Sequence, residues 1–344
     1  MNNSNTKPIG NGKHGTVYNL NEFQIKNKDN IKYIELISFK KNNNLIITSS
    51  NDINNLFDFF YNSKNKIVKI MKTTQYFMKN SYIKKDFDEE IKLNKKILKI
   101  YKSQSKKYLT IYPIGKFKSI DLIASIITLN NNKKIYMIFG NKCENNNYKI
   151  NLDKYIIDIL ESLIILQKHN LQHDDIKLDN TVKCKDKYKL IDWGKVRCVK
   201  DLSFSTIYGV YHSPILLYLK GITFPQFYFF IENLDYAYNI INSKKNKNFL
   251  KNNKIFIELI KKVRDEFKII VQMKNNKKYL LNKYKFTFDI YMFGITILHI
   301  VNKYKLNYIK YKRIIDKFTS LINPVKNAQD ALKYVKKCLK DKSI

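Results

Sequence analysis

The chain has 344 residues, 44% of them hydrophobic, enough for about two domains of ~150 residues each, and no apolar run of about 18 residues suggests a membrane span. Its formal net charge is +35, yet Arg197, Arg264 and Arg313 are the only arginines among 64 basic residues. Arginine is the residue suited to bidentate phosphate and guanine contacts, so a dispersed, solvated lysine surface is expected and a nucleic-acid interface is disfavoured.

Residues 1–140 read as a small, strand-rich lobe with one helix. It opens on Gly10-Asn11-Gly12-Lys13-His14-Gly15-Thr16-Val17. The glycines of this G-x-G-x-x-G-x-V run let the backbone adopt positive φ and come close to phosphates. The interval from Val17 to Lys69 is longer than a strand hairpin requires, and residues 31–37 and 45–48 read as added strands within it. Ile67-Val68-Lys69-Ile70 reads as a short buried strand carrying one lysine. Residues 87–93 open a helical stretch that carries Glu89 and Glu90. Residues 135–139 read as a further strand.

Residues 141–344 read as a helical lobe. Ile156, Ile159, Leu160, Leu163, Ile164 and Gln167 fall at helical spacing. Gln172-His173-Asp174-Asp175-Ile176-Lys177-Leu178-Asp179-Asn180 follows, and further on Ile191-Asp192-Trp193-Gly194. The intervening Thr181-Val182-Lys183-Cys184, a polar Lys185-Asp186-Lys187 turn and Tyr188-Lys189-Leu190-Ile191 read as a hairpin. It carries Asn180 at one end and Asp192 at the other. Phosphoryl transfer needs these groups. One carboxylate accepts the proton of an incoming hydroxyl, and a lysine holds charge on the transferred phosphoryl. An amide oxygen and a second carboxylate hold the metal that bridges the phosphates.

Residues 221–284 form a long basic segment. Phe256, Leu259, Ile260, Val263, Phe267, Ile270 and Val271 follow the i, i+3, i+4, i+7 rule, which predicts an amphipathic helix packed on the helical lobe. Lys254, Lys261, Lys262 and Lys268 are left on its other face for an acidic protein or polyanion. Cys143, Cys184, Cys198 and Cys338 form no C-x-x-C pair. No disulfide or zinc site is expected, and a reducing cytoplasmic or nuclear setting fits. The polar N-terminus shows no signal-peptide core.

In chain order, the glycine run, Lys69, Glu90, Asp175 with Asn180, and Asp192 resemble the motif set of eukaryotic-type protein kinases of the Ser/Thr kind. In composition and in its departures the chain is similar to kinases of large DNA viruses, which implies a host cell or virion setting. The resemblance implies an α+β, bilobal fold. Residues 1–140 would be the β-rich N-lobe and residues 141–344 the helical C-lobe. Asp289-Ile290-Tyr291-Met292-Phe293-Gly294 resembles the start of the buried central helix of the C-lobe, so residues 221–284 are an insertion before it.

The resemblance also implies ATP and Mg²⁺ as cofactors and a protein substrate. Gly10, Gly12, Gly15 and Val17 would cover the nucleotide. Lys69 would contact its α- and β-phosphates and be positioned by Glu90, with Glu89 as the fallback. Met137 would line the back of the pocket. Asp175 would orient and deprotonate the acceptor. Lys177 would support the γ-phosphoryl and favour Ser/Thr over Tyr. Asn180 and Asp192 would ligate Mg²⁺.

The pattern is broken in several places. Asp174 stands where most regulated kinases have arginine, and Trp193 replaces the usual phenylalanine. Ser213-Pro214-Ile215 lacks the glutamate of the A-P-E triplet. Tyr208 occupies the place of the threonine that supports the catalytic aspartate, although Tyr211 matches the family tyrosine. Asp174 would repel a phosphate, so activity without activation-loop phosphorylation is expected, although Lys195 and Arg197 offer a substitute phosphate site. Two alternatives stay open: a pseudokinase acting as an ATP-binding or scaffold protein, and a small-molecule kinase. Against the second, Gly194 stands where such enzymes tend to have an aspartate.

Overall fold

The computed structural model describes residues 7–12, 15–23, 28–40, 44–71, 80–110, 113–143, 150–199, 213–219, 254–273 and 276–341. The protein is mixed α+β, with an antiparallel sheet and a helical C-terminal part. It divides into two units, residues 1–145 with 182–194, and residues 146–181 with 195–344. The sequence divides the chain once, at 140/141. The segment 182–194 instead groups with the first unit.

Among the described residues the main sheet of the first unit has eight strands. The glycine run forms a hairpin of β1 (Gly10–Gly12) and β2 (Gly15–Asn19), with Gly10 opposite Val17 and Gly12 opposite Gly15. From there the sheet runs through β5 (Lys66–Met71), β8 (Lys134–Asn141), β7 (Ile120–Leu129) and β3 (Ile31–Ser38) to β4 (Leu45–Ile47). A short β6 (Lys116–Phe117) pairs with β7. The strands are rich in isoleucine and valine, which suit a pleated surface. The two added strands are β3 and β4, at the far edge from the glycine hairpin.

A helix covers each face. The sequence reading missed α1 (Ser50–Asn62), which follows them. The Ser49 hydroxyl caps it by accepting from the Asp52 N–H, and Ile53, Leu56, Phe57 and Phe60 bury one face against Val68, Met137 and Phe139. On the other face α2 (Asn80–Tyr101) buries Phe87 and Ile91 against Met71, Ile126, Tyr136 and Ile138. Each large side chain contributes about 1.5–3 kcal/mol of transfer free energy before entropy is subtracted.

The hairpin of β10 (Thr181–Cys184) and β11 (Lys187–Leu190) forms where expected. The cysteine expectation is corrected, because Cys143 and Cys184 are joined by a disulfide. No local spacing marks the pair, since the partners lie 41 residues apart. On chain-entropy grounds such a loop closure contributes up to about 4 kcal/mol. Cys143→Ser is therefore expected to melt below the wild type without reductant and alongside it with reductant. Equal melting in both conditions would show that the bridge carries no stability.

The second unit is helical. Its centre is α8 (Phe288–Lys303), buried without interruption from Phe288 to Leu298. Gly294 is demanded by the close approach of α9 (Tyr308–Thr319), since a Cβ there would lie 2.9 Å from Phe318 Cβ. The predicted helix of residues 156–167 is α4 (Leu152–Lys168), capped by the Asn151 side chain and packed on α10 (Ala328–Lys340). Among the described residues no helix is long and apolar enough to cross a membrane.

Within the insertion, residues 221–253 lie outside the described residues. The amphipathic helix is α6 (Lys254–Met273), followed by α7 (Lys277–Tyr284). Leu259, Val263, Phe267 and Ile270 of its stripe are buried, and Lys261 and Lys262 are exposed. The side chains of Lys254, Phe256, Ile260 and Val271 lie outside the described residues. Glu266 fastens the helix to the second unit by accepting from the Leu321 and Ile322 N–H groups and the Ser320 hydroxyl. Glu266→Ala strands those donors and should cost about 1–3 kcal/mol. Lys261→Ala, on the exposed face, is the control. Indistinguishable urea midpoints for the two variants would remove the clamp.

Candidate functional site

In the first unit, Lys69 of β5 lies across from Val17 of β2 and from Ile138 of β8. Its Nζ donates to both carboxylate oxygens of Glu90 on α2, each at 2.8 Å. The two side chains are 25% and 21% exposed, so the pair can still meet a ligand. Glu89, one residue earlier, is exposed, and Glu90 is the partner. Gly15 has a packing reason of its own, because a Cβ there would lie 2.6 Å from the Ile70 carbonyl oxygen.

Met137 is not brought to this group. Successive strand residues face opposite ways. Met137 is fully buried in the cluster under α1, whereas Ile138 lies across from Lys69 and packs on the α2 side. Ile138, and not Met137, shares the sheet face of Lys69, because a one-residue step along a strand changes its face.

Asp192 follows β11 with φ of 59°. A positive φ is uncommon for a residue with a side chain, and aspartate is among those that adopt it more readily. Its carboxylate is exposed and has no hydrogen-bond or ion-pair partner among the described residues. The neighbouring Trp193 is buried, with its ring 5.9 Å from that of Tyr101 at the end of α2.

In the second unit, the segment after β9 (Leu171–Gln172) is held at several points. Asp289, near the start of α8, accepts from the His173 N–H at 2.7 Å and the Asp174 N–H at 2.9 Å. The Thr296 hydroxyl donates to the Ile176 carbonyl at 3.0 Å. The Asn180 amide nitrogen donates to the Asp175 carbonyl at 2.9 Å, and the residue is buried. Asp174 takes a φ of 62°.

The Asp175 carboxylate receives Lys177 Nζ at 3.1 Å and Lys195 Nζ at 3.0 Å on one oxygen. Burial works to raise this carboxyl, but the two ammonium groups outweigh it and hold it at about 2. The group is therefore a carboxylate at any ordinary pH. Burial pushes the Asp289 carboxyl up to about 7, and Asp174 adds to the rise, against the two N–H donors and Arg197.

The sequence offers Lys195 and Arg197 as a substitute phosphate site. Here Lys195 is on Asp175, and Arg197 is paired with Asp174 at 2.8 Å. Their spacing gave no sign of those partners, which lie far back in the chain. Tyr208 and Tyr211 lie outside the described residues.

Mg²⁺ binds through one or two protein oxygens and fills its shell with phosphate and water. The Asn180 amide oxygen and the Asp192 carboxylate are ligands of that kind. Among the described residues no cluster of three or more His, Cys, Asp or Glu side chains could hold a metal by itself. No protein-family model matches this chain, and no curated protein matches it.

Proposed function

We propose that the protein is an ATP- and Mg²⁺-dependent protein kinase that phosphorylates Ser/Thr hydroxyls, with its sheet unit and its helical unit as the two lobes of a kinase-like fold. The observation that carries this reading is the two-oxygen ion pair between Lys69 and Glu90, residues that lie 21 apart. Motif order alone singled them out. Lys69 is the contact for the α- and β-phosphates and Glu90 fixes its ammonium. Gly10, Gly12, Gly15 and Val17 form the hairpin over the nucleotide. Asp175 orients and deprotonates the acceptor, Lys177 supports the γ-phosphoryl, and Asn180 and Asp192 hold Mg²⁺. When bound, the metal neutralises charge developing on the phosphates.

The test is transfer of labelled phosphate from ATP to generic protein acceptors, with and without Mg²⁺, followed by phosphoamino-acid analysis. Mg²⁺-dependent phosphoserine or phosphothreonine is expected. No transfer, or phosphotyrosine alone, would overturn the reading. In a companion measurement, Asp192→Asn is expected to keep the fold and abolish thermal stabilisation by MgATP. Unchanged stabilisation would remove Asp192 from the metal site.

A further inference from the structure

The short strand β12 (Arg197–Cys198) pairs antiparallel with β9, placing Arg197 opposite Gln172 and Cys198 opposite Leu171. The guanidinium donates to Asp174 Oδ1 at 2.8 Å, and the two side chains are only 9% and 2% exposed. With the Gln172 amide turned so that its oxygen faces the guanidinium, that oxygen accepts from Arg197 Nε at 3.0 Å. One residue later, the Val199 N–H donates to the Asn170 carbonyl. Arg197 thus grips the residues on either side of His173, directly ahead of Asp175.

The charges are reversed relative to the regulated kinases that the chain resembles. There an arginine before the catalytic aspartate waits for a phosphate. Here the acid occupies that position, and its base comes from β12 of the same chain. Nε and one terminal nitrogen of the guanidinium are thus engaged by amide and carboxylate oxygens, and its rigid planar fork fixes the direction of both contacts. The backbone at Asp174 sits in the left-handed region, where an aspartate is better tolerated than most residues. Its N–H is held by Asp289 and its carboxylate by Arg197. The residue directly ahead of Asp175 is therefore held at its backbone and at its side chain by groups within the chain.

We propose that Arg197 is the positioning residue for Asp175, and that through Asp174 and Gln172 it locks the catalytic segment in its working geometry without any phosphate. The proposal rests on the kinase reading and adds to it the means by which the site dispenses with phosphorylation.

The experiment compares wild type, Arg197→Met, Arg197→Lys and the reversed pair Asp174→Arg with Arg197→Asp. All are phosphatase-treated, checked by mass and assayed below their melting temperatures. Dephosphorylated wild type should keep its rate. Arg197→Met should lose at least about tenfold in kcat, as a small misplacement of a reacting group can. Its KM for ATP should stay within about threefold, because uniform binding is untouched. The reversed pair should recover most of the lost kcat, and Arg197→Lys, which keeps the charge but not the fork, should fall between. An unpaired buried Asp174 is itself destabilising, so if Arg197→Met does not fold, the lysine variant and the reversed pair decide the matter. A folded Arg197→Met or Arg197→Lys with wild-type kcat would overturn the proposal, as would a folded, ATP-binding reversed pair that recovers nothing or a wild type silenced by phosphatase. If wild type transfers no phosphate at all, the kinase reading itself falls, an outcome distinct from an active wild type with indifferent Arg197 variants.

Discussion

Asp175→Asn is expected to lower the phosphotransfer rate by about 10² to 10⁴ while leaving MgATP affinity within a few-fold, since a general base acts on the acceptor and not on nucleotide binding. The substitution keeps the side-chain volume. The Asp175 carbonyl still receives the Asn180 amide, and Asp289 still holds the two residues before it. What disappears is the negative charge that Lys177 and Lys195 share. The lysines keep an amide oxygen to donate to, so the fold survives and the chemistry does not. Steady-state transfer and a thermal-shift titration with MgATP, run side by side, separate the two effects. Turnover like that of the wild type would contradict the role given to Asp175. Loss of turnover together with loss of MgATP stabilisation would place the carboxylate in nucleotide binding instead.

What could be read from the sequence follows a physical division. Lys69 and Glu90 were legible because a motif order names residue types at set places, and their geometry depends only on a strand and a helix forming where their patterns indicate. The identity of the residue beside Lys69 was less legible. Residues 135–139 announce a strand, but not which of Met137 and Ile138 turns toward the lysine, because strand parity is set by register with β5. The helix α1 did carry a signal: Ser49 as cap, then Ile53, Leu56, Phe57 and Phe60 at helical spacing. It was hidden by the asparagine-rich stretch that introduces it. The pairings of Arg197 with Asp174, Lys195 with Asp175 and Cys143 with Cys184 join residues distant in sequence. No local period marks such contacts; they appear only once β9 and β12, or the ends of the first unit, are in place.

Asp289→Ala is expected to cost about 2–6 kcal/mol, because it leaves two buried N–H groups without an acceptor at about 1–3 kcal/mol each. Those donors belong to His173 and Asp174, so local order ahead of Asp175 should be lost before global unfolding. The pH dependence is a sharper test. The folded-state carboxyl lies at about 7 against an ordinary 3.8, raised first by burial and then by Asp174. Between those values the folded protein retains a proton that the unfolded chain has released. Stability from this group is therefore complete below the ordinary value and is lost as pH rises through about 7, at up to roughly 1.4 kcal/mol per unit. Asp289→Asn is neutral in both states and keeps an oxygen acceptor, so its unfolding free energy should lack this fall. Urea unfolding of both proteins from about pH 5 to pH 8 makes the comparison. Parallel slopes would mean that Asp289 stays ionised in the fold, with its two N–H donors and Arg197 outweighing burial.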